Sequence, residues 1–173
     1  MALTDIRTRR PDPSDAAEIT LIDAEGLATG NASFQDTPHD WGSFSASFLT
    51  GRGLALIAED KGAVAAWAGI SPTSTRTVYH GVGEVSIYVS ATKQGCGLGR
   101  RLLGDLLRAA ENAGYWTLIA QIFPENNASL SLHSALDFRI VGTRRKLGKM
   151  THDPFEDLWR DVVMLERRST VIE

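Results

Sequence analysis

Two spacings of apolar residues alternate along this chain: short continuous or every-second runs of strand character, and runs recurring every three or four positions, as on one face of a helix. Ile6 to Arg9 reads as an opening strand. Asp12-Pro13-Ser14-Asp15 predicts a helix start, with Pro13 suited to the first helical position and Ile19 and Ile22 turned inward. A polar loop containing Asn31-Ala32-Ser33-Phe34 leads to a short helix whose Trp41, Phe44 and Phe48 share a face and which Gly51 stops. Leu54 to Glu59 and Ala63 to Ile70 predict a hairpin turning at Asp60-Lys61-Gly62. A strand follows over Val85 to Val89. The strongest helical pattern runs from Leu98 to Gly114: Leu98, Leu102, Leu103, Leu106, Leu107 and Ala110 form one stripe, Arg100, Arg101, Arg108 and Glu111 face away, and Gly114 caps it. Thr117 to Phe123 is a strand, Asn127 to Leu136 a short helix, and Phe138 to Arg145 and Asp157 to Glu166 the last two strands. This order predicts a mixed α/β fold, with helices packed on a central sheet.

Length and charge narrow the class. A chain of 173 residues is expected to form one domain over 1–173, burying about 70% of the surface of its unfolded form. The net charge is −3 and the basic residues are dispersed, which gives no support to a nucleic-acid partner. No stretch approaches the ~18 apolar residues of a membrane span, and Met1 to Asp5 shows no apolar signal segment, so a cytoplasmic protein without a membrane partner is expected. The single cysteine, Cys96, excludes an intramolecular disulfide and a cysteine-built metal site. His39, His80 and His152 show no metal-ligand spacing, and no metal is expected. No Gly-x-Ser-x-Gly elbow presents a nucleophilic serine.

Candidate chemistry begins at Gln94-Gly95-Cys96-Gly97-Leu98-Gly99-Arg100, between a predicted strand and the main helix. Glycines at alternate positions let the backbone approach a large ligand, and amides at a helix N-terminus favour an anion. The pattern is neither the Gly-x-Gly-x-x-Gly dinucleotide fingerprint nor a P-loop, which needs Lys-Ser or Lys-Thr after its last glycine. Amides of Gly95, Gly97, Gly99 and Arg100, with nearby Lys93 and Arg101, suit a pyrophosphate. Further on, Asn126, Ser129, Leu130 and His133 lie close to one helical face, able to line a ligand, and Asn126 is also a natural helix N-cap.

Glu84-Val85-Ser86-Ile87-Tyr88-Val89-Ser90, the glycine run, Asn126-Asn127-Ala128-Ser129 and His133-Ser134-Ala135-Leu136-Asp137-Phe138 together resemble the GNAT superfamily of N-acyltransferases, with a complete Gln/Arg-x-x-Gly-x-Gly signature from Gln94. Within it, Glu84, His133 in Leu-His-Ser-Ala-Leu, and Trp159-Arg160-Asp161-Val162 are most similar to the phosphinothricin and methionine sulfoximine acetyltransferase group. The resemblance implies a mostly antiparallel central sheet flanked by helices and acetyl-CoA as acyl donor. It places the cofactor on Ile87, Tyr88, Val89, Gly95, Cys96, Gly97, Leu98, Gly99, Arg100 and Asn126, with the pantetheine arm pairing along the backbone of Ile87 to Val89. Glu84 is then the general base. His133 stands where many such enzymes have a tyrosine; as a histidinium it protonates the departing thiolate, as a neutral imidazole it bonds the sulfur or a water, and a purely structural histidine is the third reading. Tyr88 is a reserve acid or a core residue. Direct transfer in a ternary complex is implied, with the carbonyl polarised by a backbone amide near Val89.

By the same resemblance the acceptor is a small amino acid or analogue such as phosphinothricin, methionine sulfoximine or methionine sulfone, acetylated on its α-amino group. Phe34 matches an aromatic wall, and Arg76, Tyr79 and His80 are candidate acceptor contacts. The group commonly has a tryptophan where this chain has Ile70-Ser71-Pro72-Thr73, so the pocket is expected to differ. A loop over Lys146 to Phe155 is expected near the substrate and a twofold partner, implying a homodimer. Two rival classes share the glycine motif: an enzyme for another amine, such as a polyamine or a protein N-terminus, and a non-catalytic acyl-CoA-binding module. The candidate loop lacks the acidic lining that polyamines call for, and Glu84 with His133 favours catalysis.

Overall fold

A computed structural model of the chain describes residues 6–172; Met1 to Asp5, where the absence of a signal segment was read, and Glu173 lie outside them. Seven strands form one sheet in the order β1-β2-β3-β4-β5-β7-β6, antiparallel except for the β4–β5 pair. The strands are β1 (Ile6–Arg9), β2 (Leu54–Asp60), β3 (Ala63–Pro72), β4 (Val82–Val89), β5 (Thr117–Ile122), β6 (Arg139–Lys149) and β7 (Trp159–Arg168). The helices are α1 (Ala16–Leu27), α2 (Trp41–Phe48), α3 (Leu98–Asn112) and α4 (Asn127–Ser134).

Local chemistry explains the starts and stops. Asp12 and Asp15 make a reciprocal capping box around Pro13, in a 3-10 turn that continues into α1. Asp40 caps α2 through the Ser43 amide. Lys61 and Gly62 both have positive φ, the backbone a two-residue hairpin needs between strands of right-handed twist.

Two layers of helix sandwich the sheet. The leucine stripe of α3 is buried against β2, β3 and β4. On the other face, Ile19 and Ile22 of α1 and Phe44 and Phe48 of α2 close over Ile57 and Trp67. β3 therefore has both faces covered, and its residues Val64 to Ile70 are all buried. Small residues make this possible: the ring of Phe48 lies 2.6 Å from where a Cβ on Gly69 would stand.

Several boundaries differ from expectation, three strands most usefully. β4 begins at Val82, so Glu84 sits within the strand, held there by pairing to Ser71 on β3 and Ile119 on β5. The segment expected as a loop from Lys146 is strand as far as Lys149. β7 supplies partners beyond a bulge, where Lys146 takes φ 49° and its amide donates to Asp161 Oδ1 at 2.7 Å. β7 starts at Trp159 and runs to Arg168 because Thr117 on β5 still pairs with that residue.

The one parallel pair positions the site. β4 and β5 pair only over Val82 to Glu84 and Thr117 to Ile119. Past that point β4 stays with β3 as far as Val89, and β5 stays with β7 as far as Ile122. The sheet splits between them, and one backbone edge of β4 is left without a strand partner.

Candidate active site

The split opens into a cleft of about 900 Å³, within the range of small-molecule and cofactor sites. Val85 to Val89 form one wall and Ala120 to Phe123 the other, with Asn31 to Phe34, the glycine loop and α4 around the rim. Of the residues expected at a cofactor, Ile87, Tyr88, Val89, Gly95, Gly97, Gly99, Arg100 and Asn126 line it, as do Glu84, His133 and Phe34.

At the glycine end, Gly95 and Gly97 have φ of 73° and 86°, a conformation other residues adopt at a cost. Gly97 is the N-cap of α3 and provides no side-chain cap, so the first-turn amides of that helix remain available to an anion. Nothing stands within 4 Å of where a Cβ on Gly95 would be. Arg100 is exposed at this mouth. Lys93 also lines it, but its ammonium is already paired with Asp60, and Arg101 donates instead to the Ile6 carbonyl at 2.8 Å on the far side of α3. Two expected contacts are corrected at the side-chain level. Leu98 is 1% exposed and packs in the core, because its place on the leucine stripe turns it toward the sheet. Cys96 packs beside the same core with its thiol directed at the Lys93 carbonyl, 2.9 Å away, and does not line the cleft.

Glu84 stands where the strands part. Its Oε1 accepts a hydrogen bond of 3.0 Å from Nε2 of Gln121 across the split. His133, only 2% exposed, is held by Nδ1, which donates to the Ser129 carbonyl at 2.8 Å. That bond assigns the proton to Nδ1 and leaves Nε2 as an acceptor; Nε2 is buried and has no partner among the described residues. Burial pushes the imidazole below its ordinary titration range, so the ring is neutral at pH 7. Tyr88 stacks on Trp67 with ring centroids 4.9 Å apart and crowds Gly26 of α1. Burial first, and the charge of Asp23 second, hold its hydroxyl well above the ordinary phenol range. Asn126 caps α4 by accepting from the Ser129 amide at 3.1 Å and ties down the α1–α2 loop by donating to the Asn31 carbonyl at 3.0 Å.

The other end of the cleft is framed by Phe34, edge-on to Phe123 at 4.9 Å. Phe34 lies across Gly148 of β6, where a Cβ would come within 2.7 Å of its ring. Beneath it Arg160, 5% exposed, is sandwiched between Phe123 and Phe155, its guanidinium carbon 4.3 and 4.6 Å from the two ring centroids. It donates to the Gly30 carbonyl at 3.0 Å, Asn31 Oδ1 at 2.8 Å and Glu125 Oε2 at 2.9 Å, and it holds the Glu125 carboxyl below the usual carboxylate range. Arg160 thus fastens the α1–α2 loop to the ends of β5 and β7.

Arg76, Tyr79 and His80 are not brought to this cleft. They lie in the β3–β4 connection, at the end where β4 and β5 are still paired. Arg76 and Tyr79 border a separate shallow depression with Thr73, Ser74 and Val82. His80 Nδ1 donates to the Thr77 carbonyl at 2.7 Å and its ring meets Trp116 edge-on. Sequence reasoning did not single out Gln121 or Glu125. The available signal for Gln121 was a lone amide inside the otherwise apolar run Leu118 to Phe123.

Comparison with known proteins agrees with this geometry. Residues 20–138 match the Acetyltransferase (GNAT) family. The chain is 32% identical to the phosphinothricin N-acetyltransferase of Streptomyces viridochromogenes over 146 residues, covering 83% of this chain and 79% of that one. It is 31% identical to the L-methionine sulfoximine/L-methionine sulfone acetyltransferase of Salmonella typhimurium, covering 81% and 84% respectively. The crystal structure of a phosphinothricin acetyltransferase from Sinorhizobium meliloti in complex with acetyl-CoA superposes with a TM-score of 0.84 at 29% identity, covering 98% of this chain and 92% of that one.

Proposed function

This chain belongs to the GNAT family of acetyltransferases and is an acetyl-CoA-dependent N-acetyltransferase, and we propose that it acetylates the α-amino group of a small amino acid or analogue, of the phosphinothricin or methionine sulfoximine kind. The observation that carries this reading is the convergence, in one cleft, of an uncapped helix N-terminus, an unpaired strand edge and a carboxylate at the point where the strands separate. Acetyl-CoA brings to that cleft an activated thioester. The amides of the glycine loop and α3 receive its phosphates, and the free edge of β4 over Ile87 to Val89 holds its extended arm. An amide near Val89 polarises the carbonyl.

Glu84 takes a proton from the acceptor's ammonium, directly or through a water; the free amine then attacks the carbonyl, the carbon–sulfur bond breaks, and the second nitrogen proton passes to water. The sulfur leaves as a thiolate. A histidinium at position 133 is disfavoured by burial, which outweighs the opposing effect of the Nδ1–carbonyl bond, so His133 serves as a hydrogen-bond acceptor through Nε2 in the cleft. Tyr88 is too weak an acid to protonate a thiolate whose conjugate acid titrates near ~8.5. The thiolate therefore takes its proton from water at the open mouth, and no covalent acyl-enzyme forms.

Glu84 and Glu125 suit the ammonium end of the acceptor, and Phe34, Phe123 and Leu147 its apolar body. Among the described residues lining the cleft, Lys93 and Arg100 are the only Lys or Arg, and both belong to the glycine end. An acceptor carboxylate would be met by hydroxyls and amides of Thr29 to Phe34. That same scarcity favours a second reading, an amine with no α-carboxylate, such as a peptide N-terminus. Thiol release from acetyl-CoA with methionine sulfoximine, methionine sulfone and phosphinothricin, each beside its carboxamide, separates them. Turnover at least tenfold better with the free acids supports the proposal, and preference for the carboxamides or for peptides overturns it. We further propose a homodimer, supported by the exposed β6 edge whose Leu147 reaches the cleft; a monomeric mass in sedimentation equilibrium would exclude it.

A further inference from the structure

We infer that Gln121 is a positioning residue for the reaction, acting through Glu84; the inference rests on the proposed role of Glu84 as the base. Glu84 enters from β4 and Gln121 from β5, and the two strands have ceased to pair by the time Gln121 is reached. Gln121 Nε2 spans that gap and donates to Glu84 Oε1 at 3.0 Å. Glu84 is the last β4 residue in the ladder with β5, paired to Ile119, and this bond ties its side chain to β5 where the strands begin to part.

The chemistry of the pair assigns its orientation. A carboxylate has only acceptors, so the amide must turn its NH2 toward Glu84, which leaves the Gln121 carbonyl oxygen directed elsewhere. With one lone pair of Oε1 taken by Gln121, Oε2 is the freer oxygen for an incoming amine or its relay water. The glutamate thus loses rotamer freedom before the acceptor arrives, and a general base works only within hydrogen-bond reach of its proton. Gln121 lines the same cleft and is exposed on the surface of its strand, so packing alone does not require an amide there.

A double-mutant cycle tests the inference. Gln121→Met keeps length and flexibility while removing the donor, and Glu84→Ala removes the partner. In the otherwise unaltered enzyme, Gln121→Met is expected to lower kcat about tenfold with the KM for acetyl-CoA within about twofold. In the Glu84→Ala background the same change is expected to cost less than about twofold, because the group it positions is gone. An equal fractional loss in both backgrounds, or no loss in either, overturns the inference, since a merely structural residue acts independently of Glu84. The Glu84→Ala enzyme reports separately on the base: full activity there would end that assignment, whereas a large loss with additive Gln121→Met effects would leave Glu84 as base and remove Gln121 alone.

Discussion

Arg160→Met removes the fastening of the acceptor loop while keeping an unbranched side chain between Phe123 and Phe155. Four losses follow. The Gly30 carbonyl, in a buried residue, is left without its donor, at about 1–3 kcal/mol. The bond to Asn31 Oδ1 contributes about 1 kcal/mol more, and that to Glu125 less, because its carboxylate side chain is 59% exposed and water replaces the partner. Loss of the cation between two rings adds about 1 kcal/mol, part of it recovered by the sulfur. The contacts share one side chain and do not add strictly, so about 4 kcal/mol is the expected total. For a chain of this length that lowers Tm by about 8–16 °C, read by differential scanning calorimetry. Because Gly30 and Asn31 lead into Ser33 and Phe34, the KM for the acceptor should rise severalfold while that for acetyl-CoA stays within about twofold. A fall in Tm below about 4 °C together with an unchanged acceptor KM would refute the account of Arg160 as the anchor of this loop.

Three further outcomes are expected. Gly95→Ala places a methyl group in the open space at the helix mouth and forces a non-glycine residue to φ 73°, so the KM for acetyl-CoA should rise about tenfold with a stability loss of about 1 kcal/mol; an unchanged KM would detach this loop from the cofactor. Gly148→Ala drives a Cβ into the ring of Phe34, and a changed ranking among acceptors, with acetyl-CoA binding intact by calorimetry, is the expected result. Burial holds His133 below its unfolded value of about 6.5, so the unfolded chain binds this proton first and stability falls as pH drops below that value. The loss of Tm between pH 7 and 5 should therefore be smaller in His133→Leu than in the parent, and an equal loss would show that the ring protonates freely in the fold.

The order of strands and helices was legible in the chain because each element carries its own local signal. The leucine stripe of α3 demands a buried face, Pro13 and Asp12 open the first helix, and Lys61-Gly62 closes a hairpin whatever surrounds it. The glycine loop was equally readable, since a backbone with positive φ at Gly95 and Gly97 and an uncapped helix N-terminus are properties of a few adjacent residues. Long-range pairing was not. β6 continues past Arg145 only because β7 lies beside it, and Glu84 is a mid-strand residue only because β3 and β5 flank it. The early separation of β4 from β5, which makes the cleft, has no mark in either strand. The side-chain roles that depend on it follow the same division: Arg76, Tyr79 and His80 precede Glu84 in sequence but lie at the paired end of the strands, whereas Gln121, 37 residues from Glu84, comes within a hydrogen bond of it. The neutral state of His133 likewise comes from burial, and its tautomer from the carbonyl four residues before it in α4, neither of which a motif records. Local propensity and turn geometry are written residue by residue, while strand separation, burial and contacts across the sheet are set by which distant segments the whole fold brings together.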